Sequence, residues 1–136
     1  RQAAAASLRM VTFRDPVPKD EVFAILQQAD ACLLLLKDSP VFRWGISPNK
    51  LFDYLAASRP VLFGVNTPEN PVEKTGAGLS FAPADPGALA AAVRKMFLMT
   101  PEERRQMGMN GRRYLEEHHD MRWLAGRLAE VVADYA

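Results

Sequence analysis

The chain has 136 residues, 49% hydrophobic and 24% charged, which suits one globular domain and excludes a disordered tail. Seventeen basic residues against sixteen acidic ones leave a formal charge of +1, so no global field argues for nucleic acid or an acidic polymer as partner. A single cysteine rules out an internal disulfide, no apolar run is long enough to cross a bilayer, and nothing at the start resembles a signal peptide; the expectation is a soluble, cytoplasmic chain.

In chain order, residues 1–8 read as the tail of a helix without its beginning, which leads us to expect a domain truncated at its N-terminus. Met10, Val11, Thr12 and Phe13 read as a short strand. Pro18, Lys19, Asp20 and Glu21 open a helix with Val22, Ile25, Leu26 and Ala29 at helical spacing. Residues 31–36 are apolar on both faces, as a central parallel strand covered by helices should be, although the run alone also fits a helix. Cys32 within it reads as a buried reduced thiol rather than a nucleophile.

A loop over residues 37–46 leads into a helix starting at Ser47. Residues 61–64 form a third strand and residues 79–81 a short fourth. Between them lies a Pro- and Asn-rich connection over residues 66–71, then a single helical turn before Gly76 and Gly78. Asp85 and Pro86 start a helix through Ala88, Leu89, Ala92, Val93 and Met96. Thr100 to Glu103 is a capping box for a second helix running towards Glu117, and Asp120 caps a third. That last helix, over residues 121–136, places Leu124, Leu128, Val131 and Val132 on one face and so must cover something. Alternating strands and helices specify an α/β fold, a Rossmann-like doubly wound parallel sheet followed by C-terminal helices, with ligands outside the carboxyl ends of the strands.

The chemistry concentrates in residues 45–61. Ser47 is placed to cap the helix and Pro48 suits its first position, so free N–H groups around Gly45, Ile46, Ser47 and Asn49, with the positive dipole end and Lys50, would face a bound phosphate. Asp53, further along the helix, is the natural ribose partner. The plainer alternatives are an ordinary capped helix with a solvated lysine and a surface carboxylate. Arg43 and Trp44 in the preceding loop are either contacts of the ligand that carries the phosphate or ordinary exposed loop residues. The adjacent His118 and His119 point in different directions on a helix, with no ligand at metal spacing, so a polar helix terminus accounts for them. Glu102, Glu103, Arg104, Arg105, Arg112 and Arg113 read as a solvated face, with peripheral contact to an anionic membrane as the other reading. Met96, Met99, Met107, Met109 and Met121 read as packing residues.

The ordered set V-x-F, P-K-D-E-V, A-D-A-C-L-L-L-L, S-P-N-K-L-F-D-Y-L-A-A-S-R-P-V, G-A-G-L and P-A-D-P-G-A-L resembles the C-terminal, donor-binding half of retaining glycosyltransferases of the GT-B fold, most of all glycosyltransferase family four, the group 1 family. The resemblance implies transfer of a sugar from a nucleoside-diphosphate donor to an acceptor glycan or lipid-linked sugar, with no metal ion or other cofactor and with two domains closing over the cleft. It also implies that the terminal helix packs on an N-terminal domain; where that domain is absent, the expectation is a helix that either packs on a second copy or is loosely held. The motif's two glutamates fall on positions 45 and 53. Asp53 keeps the acceptor oxygens of the ribose-binding one, with a reach shorter by about 1.5 Å, one carbon–carbon bond. Gly45 departs from the first, so either backbone groups around Gly45 and Ile46 handle the sugar or the sugar is handled differently. Ser58 stands where a glycine usually follows the helix and must accept a left-handed backbone or end the helix differently. Arg14, Asp15 and Val17 lie where relatives form the base pocket; a plain strand-to-helix turn is the equal alternative. A non-hydrolysing nucleotide-sugar epimerase and a non-catalytic binding domain remain the other functional classes.

Overall fold

The computed structural model describes residues 10–135, so the helix tail expected over residues 1–8 lies outside the described residues. The elements run α1 (Lys19–Leu26), β1 (Cys32–Leu35), a 3-10 turn (Pro40–Trp44), α2 (Asn49–Ala56), β2 (Val61–Gly64), α3 (Pro71–Thr75), β3 (Gly78–Ser80), α4 (Pro86–Leu98), α5 (Pro101–His118) and α6 (Met121–Asp134). The three strands pair in parallel in the order β1-β2-β3, with Cys32 beside Val61 and Val61 beside Gly78. Residues 10–13 are not a strand: four β-type residues form one only when a neighbour takes up their backbone groups, and here the segment is irregular and exposed.

Parallel pairing needs crossovers, and α2 and α3, both on one face of the sheet, supply them, while α4, which follows β3, covers the other. On one face Leu34, Val61 and Phe63 meet Leu51 and Leu55 of α2, Val72 of α3, and Tyr114 and Leu115 of α5. Phe63, Leu55, Val61 and Val72 are fully buried. Each such side chain contributes roughly 1.5–3 kcal/mol, so this layer supplies most of the hydrophobic stabilisation. On the other face Leu62 packs on Ala92 and Met96 of α4, joined by Leu79, Phe81, Met99 and Met107. β1 departs from the expected two-sided cover: Cys32 and Leu34 are buried, but Leu33 and Leu35 remain 43% and 47% exposed because α4 packs mainly on β2 and β3.

The helix boundaries follow local side-chain chemistry. Asp85 accepts from the Ala88 N–H at 2.9 Å, the Thr100 and Glu103 capping box is complete, and Asp120 accepts from the N–H groups of Arg122 and Trp123. Ser58 ends the turn after α2 with φ +55°, so of the two endings expected there the left-handed backbone is the one adopted. α6 buries none of its residues, and its stripe of Leu124, Leu128, Val131 and Val132 is exposed. Met109 and Met121 are also exposed, so only Met96, Met99 and Met107 of the five act in packing.

Candidate functional site

The carboxyl ends of β1, β2 and β3 open on one side of the sheet, where the loops carrying Asp38, Asn66 and Ser80 emerge. From β1 the chain passes through the 3-10 turn, whose Ser39 accepts from the Val41 N–H at 3.5 Å, to Gly45. Gly45 has φ +103° and ψ 174°, a conformation essentially restricted to glycine, and an added Cβ would meet nothing within 4 Å. The exclusion of a glutamate here is therefore one of backbone conformation, not of space. From Gly45 the chain continues into α2, which packs on β1.

The start of α2 differs from the expected one. Pro48, not Ser47, is the N-cap, with φ −79° and ψ 115°, and no side chain caps the helix. Pro48's extended backbone places Ser47 one residue too early for its hydroxyl to reach the first turn. The Leu51 N–H bonds the Pro48 carbonyl at 2.9 Å, which leaves the amides of Asn49 and Lys50 at the positive end of the helix without a side-chain acceptor. Lys50 is exposed and makes no ion pair among the described residues.

Ile46, Ser47 and Pro48 line a cavity of about 170 Å³ together with Lys74, Tyr114 and His119. Lys74 is paired there with Glu69. His119 sits 3.3 Å from the Tyr114 hydroxyl, and its ring centroid is 4.9 Å from that of Phe52, so it is a packed aromatic partner at the end of α5. Among the described residues no group of three or more His, Cys, Asp or Glu gathers at metal-binding spacing. No helix among them is long and apolar enough to cross a membrane.

Asp53 is exposed on α2, opposite buried Leu51 and Leu55. Its neighbour Tyr54 is half-buried and donates to the Leu33 carbonyl at 3.4 Å. Burial chiefly raises the Tyr54 phenol above its ordinary pKa, helped by nearby Cys32 and Asp53. Arg43 stacks its guanidinium 5.0 Å from the Trp44 ring centroid, and Trp44 is 80% exposed. Arg14, Asp15 and Val17 are exposed in the irregular segment before α1 and line none of the cavities described here. The site residues therefore fall into one group, 43–50, around the start of α2, with Asp53 farther along that helix and residues 14–17 apart.

Sequence reasoning missed the polar groups at the strand ends. Asn66 donates to Asp38 at 3.3 Å across the β1 and β2 loops, and Asn70 donates to the Ser80 hydroxyl at 2.7 Å and to Glu73 at 3.3 Å. Their signal is positional: Asp38 and Asn66 each follow closely after the last residue of a parallel strand.

Comparison with known proteins agrees with this layout. A family model described as glycosyl transferase-like matches residues 4–130. No curated protein matches the chain. Among solved structures, sucrose-phosphate synthase from Thermosynechococcus elongatus superposes with a TM-score of 0.81 at 20% identity, over 98% of this chain and 32% of that one. The chain thus spans about a third of that protein's length, and the likeness is one of fold: a mixed α/β domain with a small parallel sheet, similar to a GT-B glycosyltransferase domain. With the family model covering nearly its whole length, the chain belongs to the glycosyl transferase-like family.

Proposed function

We propose that this chain forms most of the donor-binding domain of a retaining glycosyltransferase that takes its sugar from a nucleoside diphosphate without a metal ion. The observation that carries the reading is the start of α2, where no side chain caps the helix and the exposed Lys50 lies in its first turn. Such a terminus complements a diphosphate through amide donors and the helix dipole, and a fixed positive array also stabilises the charge that grows on the leaving diphosphate. Gly45 and Ile46 bring the backbone close to the donor, and Asp53 accepts the ribose hydroxyls. Arg43 and Trp44 flank the sugar end.

Transfer requires an acceptor site on another domain, for a glycan or a lipid-linked sugar. The exposed stripe of α6, Leu124, Leu128, Val131 and Val132, is suited to pack against that domain. A hexosyl or N-acetylhexosaminyl donor and polysaccharide assembly at the cytoplasmic face of a membrane complete the reading. Isothermal titration of the full-length protein with a panel of nucleotide sugars, followed by analysis of the product's anomeric configuration, tests it. Donor binding with a retained anomer is expected; an inverted anomer would contradict retention, and no binding across the panel would contradict the whole reading.

A further inference from the structure

Beyond the start of α2, the carboxyl ends of the strands carry a second set of groups that the diphosphate does not need. Two depressions, of about 390 and 600 Å³, share Asp38, Asn66 and Thr67. Arg43 belongs to the first, and Asn70 and Glu73 to the second. The chemistry is that of hydroxyl recognition: two amides, three hydroxyls (Ser39, Thr67 and Ser80) and two carboxylates, with one guanidinium that is already stacked on Trp44. Two carboxylates against one cation make a poor seat for a further anion.

Asp38 is the central group. Asn66 fixes it by donating to Oδ1 at 3.3 Å, and it makes no ion pair among the described residues, so its second oxygen and remaining lone pairs are available. It also lies on the loop that runs from β1 through the 3-10 turn into the start of α2. Asp38 and the start of α2 thus share one connection, over residues 36–48.

We propose that Asp38, oriented by Asn66, receives hydroxyl groups of the donor's sugar, and that this sugar is a neutral hexose rather than a uronic acid. The inference rests on the donor-site reading above. A carboxylate accepts two adjacent hydroxyls of a hexose, whereas a sugar carboxylate in the same place meets Asp38 and Glu73 as like charges.

The test compares three ligands in the uridine and guanosine series, the nucleoside diphosphate, its neutral hexose ester and its hexuronate ester, against the full-length protein and its Asp38→Asn and Asn66→Ala variants. In Asp38→Asn, which preserves the acceptor for Asn66, hexose-ester affinity is expected to fall about tenfold while diphosphate affinity is unchanged. Asn66→Ala is expected to shift the hexose ester alone, in the same direction and by less. Wild type is expected to bind the hexuronate less tightly than the hexose, and the gap narrows in Asp38→Asn because a negative charge is removed. Equal losses for diphosphate and hexose ester, no loss in Asp38→Asn, or equal wild-type affinity for hexose and hexuronate would overturn the inference alone. Failure of wild type to bind either diphosphate would overturn the donor-site reading together with it.

Discussion

Gly108 of α5 lies directly against the backbone carbonyl of Ser58, the residue that closes α2 in a left-handed conformation of φ +55°. A Cβ at position 108 would overlap that carbonyl, so the glycine lets α5 pack on the turn between α2 and β2. Gly108→Ala is expected to lower stability by roughly 1–3 kcal/mol, because overpacking against backbone outweighs the gain of ~1 kcal/mol in helix propensity. Ser58→Gly should raise stability by about 1 kcal/mol by removing the left-handed penalty. Chemical denaturation of both variants checks the pair of opposite signs.

Arg104 fastens α5 to the end of α4. Its guanidinium donates to the Met99 carbonyl at 2.5 Å and to the Met96 carbonyl at 3.4 Å, with the side chain 20% exposed. Asp30, 3.8 Å away, is 92% exposed and adds little. Arg104→Met is expected to cost about 1.5–3 kcal/mol, and Asp30→Asn less than about 0.5 kcal/mol. Thermal melts of the two variants measure the difference, and a comparable loss in both would assign the stabilisation to the ion pair instead.

Burial raises the Cys32 thiol from 9.0 to about 11, partly opposed by Arg59. The thiol is neutral in both states at lower pH, so this contribution is fully present below the unfolded value. It is lost as pH rises from 9.0 to about 11, because the unfolded chain releases its proton first. Unfolding free energy should fall over that window in wild type and less in Cys32→Ala, measured by denaturant titration at each pH. At neutral pH the thiol should resist alkylating reagents until the chain unfolds.

How much of this was legible in the sequence depended on the range of the interaction. The caps at Asp85, Thr100 and Asp120 are set by bonds within a few residues, and the sequence pattern anticipates all three; the left-handed Ser58 is one of the two helix endings it leaves open. The expectation of a cap at Ser47 fails because Ser-Pro fits two registers, and only the extended ψ of Pro48 decides between them. Residues 10–13 carry strand propensity but no pairing partner among the described residues, and propensity alone does not form a strand. The even apolarity of residues 31–36 concealed an asymmetry that depends on where α4 lands, as the exposed Leu33 and Leu35 show. Asp38 and Asn66 are 28 residues apart, and no local pattern links them.

The proposed ribose role of Asp53 yields a separate expectation. Asp53→Ala in the full-length protein should weaken donor binding by roughly 1.5–3 kcal/mol, the range for hydrogen bonds to a charged group. Fold stability should scarcely change, because the side chain is exposed. Titration with ribose and 2′,3′-dideoxyribose forms of the diphosphate separates the two effects: wild type should prefer ribose, and Asp53→Ala should not. Equal wild-type affinity for both forms would remove Asp53 from the site.

The central claim is that the uncapped start of α2 receives a nucleoside diphosphate, and amide chemical-shift mapping tests it most directly. Uridine or guanosine diphosphate added to the labelled protein should produce its largest shifts at residues 45–50, with the Asn49 and Lys50 amides moving most. The Lys50→Ala variant should reduce their response at equal ligand concentration. Shifts confined to residues 86–134, with residues 45–50 unmoved at saturating ligand, would contradict the account.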